Sequence, residues 1–148
     1  MEKTFNRVSS VKDIVISASI IIIGLVLLLL SAGAGVDIAG YFFILAGLAL
    51  IFILKSDYKD AETGIRYKRR EYYFEQSMNA SIASALATNP ASIDIKEAGK
   101  GESVMLDIYY SKDSGKAYLQ LFKYIPYEYE PCSKVYEYEI TKVEKLLK

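Results

Sequence analysis

Residues 14–54 read IVISASIIIIGLVLLLLSAGAGVDIAGYFFILAGLALIFIL, and this apolar stretch governs the architecture of the whole chain. Its only charged residue is Asp37. Residues 14–30 form one uncharged run of a length that can cross the hydrocarbon core of a bilayer, and residues 38–54 form a second run at the lower end of spanning length. We therefore predict two transmembrane helices, at residues 14–32 and 38–54.

The link between the two spans is a short external turn at residues 33–37. Gly33 and Gly35 permit a tight reversal, and the link has no room for a folded loop. The spans should therefore be antiparallel neighbours in a helical hairpin. An alternative is a cleaved signal peptide ending at Ala32-Gly33-Ala34, but the first apolar run exceeds the usual length of such a segment. The second span would remain even after cleavage.

Basic residues flank the hairpin on one side only. Lys3, Arg7 and Lys12 precede the first span, Lys55 and Lys59 follow the second, and the turn contains none. Loops rich in lysine and arginine stay on the cytoplasmic side of a membrane. We therefore predict an integral membrane protein with two spans and both termini in the cytoplasm, in which residues 1–13 form an N-terminal tail.

Small residues recur every seven positions in each span. The first span has Ser17, Gly24 and Ser31, and the second has Gly40 and Gly47. Such stripes let two helices approach closely, although glycine and serine are common enough in membrane helices for the pattern to arise by coincidence. Neither span contains Lys, Arg, Glu or His, so we expect an anchor and a packing surface rather than an ion or proton pathway.

The chain becomes polar after Ser56. Of its 36 charged residues, 29 lie beyond this point, and they give the soluble part a net charge of −1. We divide this part into a basic and polar connector at residues 55–64 and a cytosolic domain at residues 65–148. Since the domain is not basic, nucleic acid is not an expected partner.

Periodicity within residues 65–148 predicts an α+β domain. Residues 65–74 favour a strand, with a helix continuing from the second span as the alternative, and residues 74–90 have the apolar spacing of a surface helix. Strict alternation then predicts strands at residues 103–110, 117–125 and 134–140. A hairpin loop with left-handed Gly115 joins the first two, and a short helix at residues 141–148 is expected to close the chain. The predicted fold is thus a two-helix transmembrane hairpin followed by a small cytosolic domain with an antiparallel sheet and one packed helix.

Catalytic chemistry receives no positive signal from the sequence. The chain has no histidine, and its one cysteine, Cys132, has only Lys134 as a nearby cation. No phosphate-loop, dinucleotide-binding, hydrolase or calcium-loop spacing is present. We therefore predict no catalytic residues, no metal and no cofactor. An enzyme that acts on a membrane substrate through carboxylates or tyrosines is the weakest of the three functional hypotheses.

Two features suggest binding surfaces. One is the basic segment Arg66, Lys68, Arg69 and Arg70, which could contact anionic lipid headgroups or form an ordinary solvated face. The other is the acidic and aromatic turn at residues 127–131, where Tyr127 and Tyr129 are the partner-contact candidates. The leading hypothesis is a noncatalytic interaction or assembly module at the inner membrane face, which binds another protein or itself. The alternative is a domain that senses anionic lipid.

Overall fold

The computed structural model describes residues 3–30 and 32–148. The chain divides into two compact units. The hairpin unit comprises residues 6–59, and the C-terminal unit comprises residues 60–148 together with the N-terminal segment through Phe5.

Two helices, α1 (Val11–Leu30) and α2 (Ala34–Ile53), make up most of the hairpin unit. Each has 20 residues and is long and apolar enough to cross a membrane. The link is shorter than the predicted turn at residues 33–37, because α2 begins at Ala34 and includes Asp37 in its first turn. A carboxylate there interacts favourably with the helix dipole. Gly33 has a φ of 123°, a conformation that glycine adopts without steric cost.

The stripe of small residues lies between α1 and α2. Ser17 and Gly24 are buried on α1, and Gly40 and Gly47 are buried on α2. A Cβ atom on Gly24 would lie 2.7 Å from the carbonyl oxygen of Gly40, and one on Gly47 would lie 3.0 Å from the carbonyl oxygen of Ser17. The absence of side-chain atoms at these positions therefore sets the close approach of the two backbones. Ser31, the remaining member of the predicted stripe, lies outside the described residues.

The remaining elements form a mixed arrangement of strands and helices. The strands are β1 (Phe5–Val8), β2 (Asp57–Asp60), β3 (Arg66–Phe74), β4 (Val104–Ser111), β5 (Lys116–Ile125), β6 (Glu128–Pro131) and β7 (Tyr136–Glu139). The α-helices of the C-terminal unit are α3 (Asn79–Thr88) and α4 (Ile140–Leu147), and short 3-10 helices lie at Gln76–Met78, Pro90–Ser92 and Ile95–Glu97.

The sheet is antiparallel at each pairing from β3 to β7. Within the C-terminal unit the strand order is β3-β4-β5-β6, with β7 also paired to β5. The register places Tyr72 opposite Leu106 and Leu106 opposite Leu121. Gly115 has a φ of 68° in the β4–β5 turn, as the sequence predicts.

One face of the sheet is covered by helices. The core contains Leu106 and Leu119 from the sheet, Leu86 from α3, and Val143 and Leu146 from α4, and each of these side chains is fully buried. The α+β class and the antiparallel sheet are thereby confirmed, and the segment at residues 65–74 is a strand rather than a helix. Two helices pack on the sheet instead of the predicted one, because α4 presents its apolar side chains to the same core as α3.

Three strands lie where the sequence analysis predicts none. The predicted tail at residues 1–13 contains β1, the predicted connector at residues 55–64 contains β2, and the predicted turn at residues 127–131 contains β6. Each is four residues long and rich in charged or polar side chains. Strands this short derive their stability from pairing with neighbours rather than from an apolar alternation of their own.

Candidate functional site

The face of the sheet opposite the helices, which we call the open face, is lined by aromatic and charged side chains. Because side chains alternate along a strand, the residues between the core positions of β4 and β5 point away from the helices. They include Asp107, Tyr109, Tyr118, Gln120 and Phe122. This face therefore carries polar groups that the apolar core could not accommodate.

The N-terminal segment packs onto the open face. The ring of Phe5 stacks on Tyr109 at a centroid distance of 4.1 Å and contacts Tyr67 at 5.2 Å. Lys3 donates a hydrogen bond of 2.6 Å to the buried Asp60 carboxylate and lies 5.1 Å above the ring of Tyr118. Sequence reasoning missed this packing because its contacts join residues that are far apart in the chain, and a single phenylalanine in a polar segment gives no periodic signal.

An arginine on the open face is held between two carboxylates. Arg69 donates hydrogen bonds of 2.7 and 2.9 Å to the two oxygens of Asp107, and it forms an ion pair of 2.7 Å with Glu71. Asp107 is only 4% exposed, and burial raises the pKa of its carboxyl group despite the adjacent guanidinium. The bidentate pair therefore satisfies a charge that would be costly to bury alone.

A groove of about 220 Å³ lies on the open face beside these groups. Its lining includes Lys3, Phe5, Asp107, Gln120 and Phe122. The charged groups in its wall are already engaged, because Lys3 pairs with Asp60 and Asp107 pairs with Arg69. The groove therefore has the character of a structural junction rather than of a site with charges available to a ligand.

A second surface region, which we call the tyrosine surface, consists of Tyr73, Tyr124, Tyr127 and Tyr129. The ring of Tyr129 lies 5.9 Å from that of Tyr73 and 5.3 Å from that of Tyr124. The Tyr129 hydroxyl donates a hydrogen bond of 2.8 Å to the carbonyl oxygen of Glu102. Tyr129, one of the two predicted contact residues, is thus fixed within a cluster of rings.

Tyr127, the other predicted contact residue, is at the tip of the β5–β6 turn. It is 99% exposed, and its φ of 77° is the one positive φ of a residue other than glycine in the described chain. A bulky residue in this backbone region is strained. The turn therefore presents an aromatic ring to the exterior at a conformational cost.

Acidic side chains lie next to the tyrosine surface, with Glu102 beside Tyr129 and with Glu128 and Glu130 on the other side of β6. Glu102, Glu128 and Glu130 are exposed, and none of the three forms an ion pair with any residue in the described ranges. Burial raises the pKa of the Tyr129 hydroxyl, and the Glu102 carboxylate raises it further. Tyr129 is therefore neutral near pH 7, and the tyrosine surface is aromatic with the Glu102 carboxylate beside it.

Strand alternation divides the basic segment predicted as one patch. Arg66, Lys68 and Arg70 lie on one side of β3, whereas Arg69 lies on the other and is occupied by Asp107 and Glu71. Arg69 is therefore engaged in the open face and does not share a surface with the other three lipid-headgroup candidates.

The hairpin unit has a network of hydrogen bonds at the polar ends of its helices, which we call the polar clasp. The Asp13 carboxylate accepts from the backbone N–H of Ser10 and of Ser56, at 2.9 Å each, and from the Ser56 hydroxyl at 2.8 Å. The Arg7 guanidinium donates to the carbonyl oxygen of Lys55 at 3.0 Å. The clasp joins the start of α1 to the end of α2.

Part of the polar clasp had a sequence signal. The Ser10 hydroxyl accepts from the backbone N–H of Asp13, while the Asp13 carboxylate accepts from the backbone N–H of Ser10. This reciprocal pattern is a capping box, which a serine followed three residues later by an acidic residue before an apolar run can indicate. The link to Ser56 has no such local signature.

Metal and thiol chemistry receive little support from the described part of the chain. Residues 3–30 and 32–148 contain no group of three or more Cys, Asp or Glu side chains that could hold a metal ion. The Cys132 thiol is exposed, and partial burial raises its pKa. Comparison with models of protein families, with curated proteins and with solved structures finds no match to this chain.

Proposed function

We propose that the chain is a membrane-anchored interaction module. In this proposal α1 and α2 cross the bilayer, and the C-terminal unit docks a protein partner through the tyrosine surface. Anchoring would hold the docking surface beside the membrane and raise the local concentration of the partner there.

The lateral surface of the hairpin supports the anchoring part of the proposal. In the 18-residue apolar stretch of each helix, only 17% of the residues of α1 and 11% of those of α2 are buried. Exposed side chains such as Leu29, Phe42 and Phe52 would meet water in a soluble protein, whereas a bilayer provides an apolar surrounding for them. The basic residues before α1 and after α2 favour placing both termini in the cytoplasm.

The single observation that carries the docking part is the exposure of Tyr127. Its ring is 99% exposed on a strained turn, and the neighbouring Tyr124 is 50% exposed. Rigid aromatic side chains of this kind are enriched at protein interfaces, because their rings bury a large area and their hydroxyls form hydrogen bonds. Strain retained at an exposed aromatic residue is typical of a functional position.

Charge complementarity supports one kind of partner. Glu102 lies beside Tyr129, whereas Glu128 and Glu130 project from the other side of β6, where Glu130 is opposite Lys123 in the register. None of the three glutamates forms an ion pair with a described residue. A protein segment that carries lysine or arginine would supply the opposite charges. The proposed partner is therefore a second protein with a basic contact segment.

Photo-crosslinking in native membranes tests this proposal. The full chain would carry p-benzoylphenylalanine in place of Tyr127, and the adduct would be identified by its mass. We expect one discrete adduct with a different protein, which is lost in the Glu128→Lys and Glu130→Lys double variant. The Asp113→Lys variant serves as the matched control, because Asp113 is exposed in the β4–β5 turn, at the other end of β5.

Three results would contradict the proposal. They are the absence of any adduct, an adduct that persists after reversal of the two glutamates, and an adduct whose mass is that of two copies of this chain. The last result would replace the second protein by self-association through the same surface.

A further inference from the structure

A groove of about 460 Å³ lies on the helix-covered side of the C-terminal unit, beside α4. Its polar lining comprises Arg70 of β3, Tyr110 of β4, Lys112 of the following turn, and Thr141, Glu144 and Lys148 at the C-terminal end of the chain. The volume lies within the range of small-molecule sites. We call this region the basic groove.

The basic groove carries positive charge that the protein does not neutralise. Arg70 and Lys112 form no ion pair with any residue in the described ranges, while Lys148 lies 3.5 Å from Glu144. Three cationic side chains and one carboxylate give the lining side chains a net charge of +2. In the groove on the open face, by contrast, Lys3 is paired with an acid. Of these two grooves, the basic groove is therefore the one that offers uncompensated cations.

The guanidinium of Arg70 is held in position by the hydroxyl group of Tyr72. It donates a hydrogen bond of 3.3 Å to the Tyr72 hydroxyl. The Tyr72 hydroxyl in turn donates to the carbonyl oxygen of Leu146 in α4, at 2.5 Å. An arginine has five N–H donors, so donors remain for a ligand after this contact is made. The charge is therefore oriented before any ligand arrives.

We propose that the basic groove binds a phosphate monoester. Arginine recognises two phosphate oxygens at once through its planar guanidinium, and the Lys112 ammonium supplies a second charge. The hydroxyls of Tyr110 and Thr141 supply further hydrogen-bond donors. The groove is larger than a phosphate ion, so it leaves space for the group that carries the phosphate. That group belongs either to a lipid headgroup or to a soluble metabolite.

This site is separate from the tyrosine surface. Lys112 lies near the start of β5, in the turn that precedes it, whereas Tyr127 lies just beyond its end. Ten residues of extended chain place these two ends about 30 Å apart. Failure of protein docking at Tyr127 would therefore leave the phosphate proposal standing, and the reverse also holds.

Calorimetric titration of the full chain in neutral detergent micelles tests the proposal. The probes are dioctanoyl phosphatidic acid, which presents a phosphate monoester on acyl chains, dioctanoyl phosphatidylcholine, which does not, and sn-glycerol 3-phosphate, which lacks the acyl chains. We expect phosphatidic acid to bind at least tenfold more tightly than phosphatidylcholine. The Arg70→Gln and Lys112→Gln variants should each lose at least tenfold in affinity for phosphatidic acid.

Lys142→Gln is the matched control, because Lys142 is an exposed lysine of α4 that does not line the groove. It should retain wild-type affinity. Displacement of phosphatidic acid by glycerol 3-phosphate would identify a soluble phosphate ester as a sufficient ligand, and failure to displace it would identify the lipid headgroup. Both results support a phosphate site.

Equal binding of the two lipids would overturn the proposal, and so would wild-type affinity in both Arg70→Gln and Lys112→Gln. If Arg70→Gln lowers the thermal midpoint because its contact with Tyr72 is lost, the affinity of Lys112→Gln for phosphatidic acid becomes the deciding measurement. Lys112 is exposed in the β4–β5 turn, so its replacement should not disturb the fold. A loss of affinity that Lys142→Gln shares would also contradict a specific site.

Discussion

Replacing Gly24 by alanine should open the α1–α2 hairpin. The added Cβ atom would lie 2.7 Å from the carbonyl oxygen of Gly40, and 2.8 and 2.9 Å from Cγ1 and the backbone nitrogen of Ile44. Two of these three atoms belong to the backbone and cannot move aside by changing a side-chain rotamer. Because ordinary contact begins at 3.4 Å, the helices must separate locally by about 0.7 Å.

The expected effect follows from this separation. Overpacking by one methyl group in a closely packed interface costs about 2 kcal/mol. Since each 1.4 kcal/mol changes an equilibrium constant tenfold, the opening equilibrium of the hairpin should rise about 30-fold. A glycine to alanine change also favours the helical backbone by about 1 kcal/mol, so a control must share that gain.

Gly35→Ala is that control. Gly35 lies in the first turn of α2, and nothing lies within 4 Å of the position that a Cβ atom would take. The full chain would carry Val11→Cys, Ile53→Cys and Cys132→Ser, with a donor and an acceptor dye on the two introduced cysteines. Both labelled positions are exposed, at the start of α1 and the end of α2.

The assay measures energy transfer between the dyes as sodium dodecyl sulfate is titrated into neutral micelles. Gly24→Ala should lose energy transfer at a lower detergent fraction than Gly35→Ala, by the equivalent of about 2 kcal/mol. Equal midpoints for the two variants would refute the reasoning, because the methyl group at residue 24 would then meet no backbone.

Two further changes have defined outcomes. Asp13→Ala removes the capping box and the link to Ser56, so the same energy-transfer assay should show that the hairpin is destabilised by about 2 kcal/mol. The control variant Ser19→Ala should show no destabilisation. Similar midpoints for the two variants would contradict the role of the polar clasp. Burial acts to raise the pKa of Asp60, but hydrogen bonds from Lys3 and Thr63 outweigh burial and hold the pKa below its ordinary value. These contacts therefore stabilise the C-terminal unit above the ordinary carboxyl pKa, and the contribution is lost as the pH falls through the lowered pKa. Asp60→Asn should lower the urea midpoint at pH 7, and the difference from wild type should shrink below about pH 4; a difference that persists at low pH would contradict the assignment.

The hairpin and the central strands could be predicted from the sequence because each has a strong local period. Residues 14–54 carry one interior charge, and β4 and β5 alternate apolar residues on the core face. A single period is enough to identify such elements, since burial of one face dominates their energetics. The small-residue stripe likewise depends only on spacing within each helix.

The remaining features depend on contacts between distant parts of the chain. Phe5 stacks on Tyr109, and Asp13 accepts a hydrogen bond from Ser56. In neither case does the local sequence indicate which distant residue is contacted. The division of the basic segment could have been predicted from the sequence, because in a strand Arg69 lies on the same face as Tyr67 and on the opposite face from Arg70. The uncompensated charge of the basic groove could not, since Arg70 and Lys112 come together only in the fold.

Cysteine accessibility tests the membrane anchor and its orientation most directly. The wild-type chain has one thiol, the exposed Cys132 in the C-terminal unit, and a variant with Ala32→Cys and Cys132→Ser moves the thiol to the exposed link between α1 and α2. A membrane-impermeant maleimide would be applied to cells that express the full chain, before and after permeabilisation. We expect the thiol introduced in the link to react in intact cells and Cys132 of the wild-type chain to react only after permeabilisation. Labelling of Cys132 in intact cells, or of neither thiol until the cells are opened, would contradict this prediction.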